Sequence, residues 1–239
     1  MPTKSVLAPV PSKPPKLGRL RARTLEDKDL RRSHLLHAAA ELFAQTDFHG
    51  VTIADMAHKA GVAKGTAYLY FSSKQSVFLA LVQAELTEWE LALSGALKAL
   101  PSQRAADAVP QTIARTLAQR STLRRLLVLL HSVIEPSLDF ESAHNFKVFL
   151  RDLVARLSEN LVIHIPGLMQ AQAAILVMQI HALVISVTQL SSPPHTIALV
   201  LEQDASLQLM KIEFEPFLAH TLATLLRGTV PAVAATPPG

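Results

Sequence analysis

The stretch TIADMAHKAGVAKGTAYLYFSSK, Thr52 to Lys74, carries three helix boundaries in close succession. Thr52 stands three residues ahead of Asp55, a capping box that opens a helix expected to run to about Ala60. Gly61 then sits where a helix ends at positive φ, a region glycine enters at least cost. A short helix, roughly Ala63 to Tyr70, follows at once. Ser72 or Ser73 caps a long one from about Lys74 to Leu97. Upstream, from about Arg31, residues Leu35, Leu36, Ala39, Ala40, Leu42 and Phe43 form a broad apolar face up to Thr46, and Phe48, His49 and Gly50 turn the chain.

Two helices joined by a tight glycine turn, the second short and rich in Lys, Thr and Tyr, form a helix-turn-helix. The DNA major groove admits one helix, whose first residues reach the base edges. Lys64 supplies a cation in the first turn, Gly65 lets the backbone approach closely, and Thr66 offers a hydroxyl and a methyl group. The chain has only two tyrosines, Tyr68 and Tyr70. On a continuous helix they would lie about 200° apart, each sending a hydroxyl toward one wall of the groove. Lys64 and Tyr68, four apart, share a face. Thr52 and Lys74 begin other helices, where a side chain and free N–H groups can clamp a phosphate together.

Arg32 to Phe78, and above all Thr52–Lys74, resemble the N-terminal domain of the TetR family of transcriptional regulators. The apolar first helix ending at Phe43 carries the resemblance, together with Thr52, Ala57, Ala60, Gly61, Val62, Gly65, Thr66, Tyr68, Tyr70, Phe71 and Lys74. It implies a cytoplasmic, ligand-responsive homodimer, most often a repressor, that presents two heads to successive major grooves of a pseudo-palindromic operator. An activator or a ligand-independent regulator shares the same head. Three positions depart from the family pattern. Ala63 stands where Ser or Thr commonly caps the recognition helix, Ala67 replaces a larger aliphatic residue, and Leu69 occupies an often polar or aromatic position, where it can touch a thymine methyl.

The charge distribution agrees. Residues 1–76 hold 12 Lys/Arg against 6 Asp/Glu, a balance of +6, whereas residues 77–239 hold 11 against 13, a balance of −2. One end is built to meet a polyanion and the other is not. Residues 1–27 read as an extended, basic, proline-rich arm, either a solubilising tail or one whose Lys16, Arg19, Arg21 and Arg23 reach along phosphates. A helix-turn-helix domain, 28–76 with its motif at 52–71, precedes a helical body at 77–227 and a frayed tail at 228–239.

The body shows no strand alternation and no repeat, so the fold class is all-α. Helices are expected near Ala105–Gln119, Thr122–Ile134, Phe140–His164 and Gln170–Leu190, and over about Thr196–Leu226, which Pro216 must break, unless Glu215-Pro216 starts a new helix. Ala171–Pro194 is long and apolar enough to span a membrane, but Gln172, Gln179, His181, Ser186, Thr188 and Gln189 interrupt it and no Lys/Arg cluster flanks it, so a buried helix is expected and no membrane partner. Polar residues inside apolar runs mark candidate effector contacts: His131, Glu135, Gln179 and His181. Val177, His181, Val184, Phe217, Leu218, Thr221 and Leu225 mark candidate dimer contacts, which in the resembled family belong to a four-helix bundle across a two-fold axis. The apolar composition favours a hydrophobic effector.

No enzyme signature is present: no HExxH, no nucleophile elbow, no phosphate-cradling glycine loop, and no cysteine for thiolate or iron–sulfur chemistry. No catalytic residue and no cofactor is implied. His34 and His37 lack the acidic or cysteine partners a metal site needs, so none is expected.

Overall fold

A computed structural model describes residues 17–101 and 105–229, with side-chain surroundings from residue 28 to 101 and from 108 to 229. Every regular element among them is helical, in the order α1 (Leu17–Gln45), α2 (Ile53–Lys59), α3 (Lys64–Tyr68), α4 (Lys74–Lys98) and α5 (Ala105–Ala118). Then come α6 (Ser121–Leu129), α7 (Phe140–His164), α8 (Gln170–Ser191), α9 (His195–Gln203) and α10 (Phe214–Thr229). Between α6 and α7 the chain widens into a π-type turn at Leu130–Ile134 and tightens into a 3-10 turn at Glu135–Ser137.

Local chemistry sets most boundaries. Thr52 and Asp55 close the expected capping box on α2, and Ser73 does the same for α4 with Ser76. Gly61 has φ 69°, Val62 N–H reaches Ala57 O at 2.9 Å and Gly61 N–H reaches His58 O at 3.1 Å. That pair of bonds satisfies two carbonyls left over at the end of α2.

One expectation is corrected and two are sharpened. First, α1 begins at Leu17 and not near Arg31, because Leu17–Arg32 contains no proline and is rich in helix formers. Residues 17–27 of the expected extended arm are therefore helical, and residues 1–16 lie outside the described residues, as do 230–239 of the expected tail. Second, the helix expected over Thr122–Ile134 reaches that bound, but its last turn, Leu130–Ile134, widens to π-type ahead of Pro136, which lacks an N–H to continue the helix. Third, of the two readings of Thr196–Leu226 the structure takes the one in which Glu215-Pro216 opens a new helix: α9 and a 3-10 turn precede α10, with Pro216 in its first turn, where its missing N–H costs nothing.

The head is α1, α2, α3 and the start of α4. Phe43, Phe48 and Phe78 meet edge to face, with centroids 5.2 and 4.8 Å from Phe78, over the buried Leu35, Met56 and Ala57. Each such side chain stabilises the head by about 1.5–3 kcal/mol. Ala57 and Phe71 are core as their positions imply, and Val62 packs half-buried against them. In the body α4 meets α5, α6 and α7, α5 packs on α10, and α8 lies against α6, α7 and α10. The helix α8 is long and apolar enough to cross a membrane; one face, with Ala173, Leu176, Ile180, Val184 and Val187, is buried in the body, while Ile175, Met178 and Leu190 are exposed, so the helix is buried on one face and not all round as expected. Glu90 and Arg156 form a two-pronged ion pair, 2.6 and 2.8 Å, that ties α4 to α7. A single apolar core runs from head to body, because α4 contributes Val77–Val82 to one and Trp89, Leu93 and Leu97 to the other.

Candidate functional site

On the outer face of the head, Thr52, Lys64, Tyr68, Ser73 and Lys74 line one open groove of about 560 Å³. Four of the eight expected contacts thus converge from three helices. Lys64 and Gly65 are exposed, Leu69 is 79% exposed and Tyr68 47%. A Cβ at Gly65 would meet nothing within 4 Å, so its own chain does not require glycine there. Ala63 begins α3 in extended geometry with no side-chain cap, and only its carbonyl, bonded by Thr66 N–H at 2.9 Å, holds the first turn.

Not every expected residue sits as the spacing implied. The short helix ends at Tyr68, so Tyr70 lies in the following turn, half-buried against the core, and Thr66 is half-buried as well. The two tyrosines are not symmetric arms: Tyr68 faces the groove and Tyr70 supports the helix from behind. The Thr52 hydroxyl is committed to its cap, donating to Asp55 Oδ2 at 2.6 Å and accepting Asp55 N–H at 3.2 Å. The Thr52 hydroxyl and the Thr52 backbone N–H, the latter at 3.0 Å, both donate to the Asp55 carboxylate and hold it below its ordinary range. Lys74 Nζ donates to Phe48 O at 2.9 Å and lies 4.1 Å from the Phe48 ring centroid. Lys74 is a strut between α4 and the turn after α1, and Lys64 is the unpaired ammonium of this groove among the described residues.

The body encloses a second site, a cavity of about 230 Å³ between α4, α5, α6, α7 and α8. Its walls are almost wholly aliphatic, with the Trp89 ring among them. The Trp89 indole N–H is used elsewhere, on Thr116 Oγ1 at 3.2 Å. His131, His181 and Lys147 are the polar lining residues. His131 Nε2 and His181 Nε2 face each other at 2.9 Å, and His131 Nδ1 meets Glu135 Oε2 at 2.9 Å. Glu135 Oε1 accepts from Lys147 Nζ at 2.6 Å. Burial pushes the Glu135 carboxyl up, but the hydrogen bonds from Lys147 and His131 outweigh it and hold the group below its ordinary value. Burial, helped by the neighbouring His131, lowers the pKa of His181 and keeps it neutral. Of the four expected pocket residues, His131 and His181 line the cavity, Glu135 stands behind His131, and Gln179 is exposed on the other side of α8.

Residues 35–81 match the family described as bacterial regulatory proteins, tetR family, and residues 83–232 match the tetracyclin repressor-like C-terminal domain. The chain belongs to the TetR family of transcriptional regulators. The regulator BetI from Brucella canis is 30% identical over 141 residues, 58% of this chain and 67% of that protein. YfiR from Bacillus subtilis is 35% identical over 65 residues, 27% and 32% of the two chains. The activator FasR from Mycolicibacterium smegmatis is 34% identical over 77 residues, 32% and 35%. The chain thus spans about a third of the length of YfiR and FasR. In fold, it is similar to a TetR regulator from Rhodococcus sp. RHA1, with TM-score 0.55, 18% identity, and 87% and 98% of the two chains covered. It is also similar to the regulator FadR from Bacillus subtilis in complex with stearoyl-CoA, with TM-score 0.51, 17% identity, and 83% and 98% covered.

TetR-like heads and bodies meet here through α6. Arg125 donates to Phe43 O at 2.8 Å and to Thr46 O, with its guanidinium 4.2 Å from the Phe43 ring centroid. It thereby occupies carbonyls left free at the end of α1, the negative end of that helix. On the same helix Leu123 and Leu127 line the cavity, and His131 follows in the π-type turn. Sequence reading missed Arg125 and Lys147: each is one basic residue among several, and only the fold shows what it touches.

The expected dimer residues separate in the same way. Val177, His181 and Val184 line the cavity and Leu218 is buried against α5, so none of these four faces outward. Leu225 and Thr221 are half-buried. Phe217, 40% exposed, keeps an outward place, and Ile175, Met178, Ala182 and Ser186 form the matching open stripe of α8.

Proposed function

We infer that this regulator is a ligand-responsive homodimeric repressor whose two heads bind a pseudo-palindromic operator and release it when a small apolar effector fills the body cavity. The observation that carries the reading is α6, one rigid helix that lines the cavity with Leu123 and Leu127 and holds the end of α1 with Arg125. An effector that prefers a shifted α6 changes how α1 and its head are held, and DNA affinity falls by the differential affinity of the effector for that state. Lys64, Gly65 and Leu69 enter the groove, Thr66 faces the α3 backbone side of it, and Tyr68 reaches the phosphates. Thr52, Tyr70 and Lys74 fix the helix that does so. The dimer forms through the open stripe of α8 and through Phe217 of α10, which the body leaves exposed, with the half-buried Thr221 beside it. Such a protein works in the cytoplasm, where the chromosome is.

The sign of regulation depends on where the operator lies relative to a promoter. A relative named as an activator matches over a comparable length, so an activator reading uses the same contacts. The test is a fluorescence-anisotropy titration against DNA flanking its own gene, with sedimentation to count protomers. Saturable binding of a dimer, competed by the specific site and not by scrambled DNA, is expected. Binding equal on both DNAs would refute the sequence-specific reading.

A further inference from the structure

The cavity has a chemical polarity that an apolar effector alone would not use. Its apolar part offers no free donor or acceptor, because the Trp89 N–H is already bonded to Thr116. Its other end holds two imidazoles with their Nε2 atoms 2.9 Å apart. One hydrogen lies between those two nitrogens, and Glu135 fixes the other ring nitrogen of His131 as N–H. With both rings neutral, His181 Nε2–H donates and His131 Nε2 accepts. The His131 side chain is 49% exposed, so this end opens to water. Lys147 from α7 is held by Glu135, and α4 faces the cavity with Leu86, Trp89 and Leu93 alone, so no acid lines the cavity and Glu135, behind His131, is the acid at the imidazole pair.

Size narrows the occupant. The cavity holds about 230 Å³. That is below the roughly 300–1,000 Å³ of drug-sized sites.

We propose that the effector is a free carboxylic acid with a small apolar tail, its carboxylate inserted between His131 and His181 and its binding coupled to uptake of one proton. This rests on the effector-responsive reading of the cavity. The carboxylate parts the imidazole pair and accepts from both Nε2 atoms. His181 already carries its N–H. His131 gains one from solvent and becomes an imidazolium, with Nδ1–H on Glu135 and Nε2–H on the ligand. The imidazolium then lies between two carboxylates, while His181, desolvated on α8, stays neutral. A coenzyme A thioester has no carboxylate to place there, and an alcohol has no charge to draw the proton in.

The experiment is isothermal titration calorimetry of the full-length protein with octanoate, 1-octanol and octanoyl-CoA, in two buffers of different ionisation enthalpy. Octanoate is expected to bind with about one proton taken up, and so more tightly as the pH is lowered. His131→Gln should weaken octanoate about ten- to a hundredfold and abolish proton uptake, while leaving 1-octanol unchanged. A merely structural histidine would weaken both ligands together. His181→Gln should weaken octanoate with proton uptake retained. Octanol binding as tightly as octanoate, octanoyl-CoA binding more tightly, or octanoate binding without proton uptake would each overturn the proposal. DNA titrations on the same preparation separate the two readings: a chain that binds its operator but not octanoate refutes the ligand and leaves the regulator.

Discussion

Replacing Arg125 by Met tests whether α6 holds the head. The change removes two charge-assisted hydrogen bonds, to Phe43 O and Thr46 O, and the contact over the Phe43 ring, while the methylene stem still covers the ring edge. Thr46 is exposed, so water replaces the guanidinium there at little cost. The bond to Phe43 counts in full, about 1.5–3 kcal/mol for a charged donor, and the ring contact adds about 0.5–1 kcal/mol. The loss is thus roughly 2–4 kcal/mol, which at about 2–4 °C per kcal/mol lowers melting by roughly 4–16 °C. The assay is a circular-dichroism melt paired with amide exchange read by mass spectrometry. Protection should fall in the last turns of α1 and in α2, and stay unchanged in α7 and α8. Arg125→Lys, which keeps the charge but loses the planar fork, should recover part of it. A methionine variant that melts within about 1 °C of the parent, with α1 still protected, would refute the clamp.

Three further outcomes are expected. Ala63→Ser supplies the missing cap in a backbone already extended, φ −66° and ψ 146°, and should add about 1 kcal/mol to α3, seen as slower amide exchange at Thr66–Tyr68; unchanged exchange would count against it. Lys64→Gln should lower the salt slope of DNA binding by about one with no change in melting, whereas Lys74→Gln should lower melting and leave the slope nearly intact, because its ammonium is held by Phe48. His181 has a lowered pKa in the folded state, so its protonation favours unfolding. Stability is full above the ordinary histidine value and lost as pH falls from there toward the lowered one, and urea melts should show a smaller loss across that window in His181→Gln.

Much of the head is written locally. The Thr52–Asp55 box, the Ser73 cap and the positive φ at Gly61 involve residues at most five apart, so their partners can be read along the chain. Phe140–His164 has the bounds its periodicity predicts, and the missing cap at Ala63 is visible as a missing hydroxyl. The same local reading failed where a helix is too short to keep its period. Tyr68 and Tyr70 oppose each other only on a continuous helix, and α3 ends at Tyr68.

The body was legible as helices but not as surfaces. An all-round apolar helix such as α8 does not say which side meets its own protomer, so Val177 and Val184 read as dimer contacts until α4, α6 and α7 closed over them. Likewise Lys74 and Lys64 are alike in sequence, and only the approach of Phe48, 26 residues away, makes one a strut. Glu135 and His131, four apart, were both suspected as polar residues in an apolar run. Their joining to His181, 50 residues on, and to Lys147 is a fact of folding. Sequence by itself determined the head, its turn and the all-α class, because capping and periodicity are short-range forces. Tertiary structure alone decided which polar side chains share a cavity and which basic one joins head to body, because those energies arise only between segments that burial brings together.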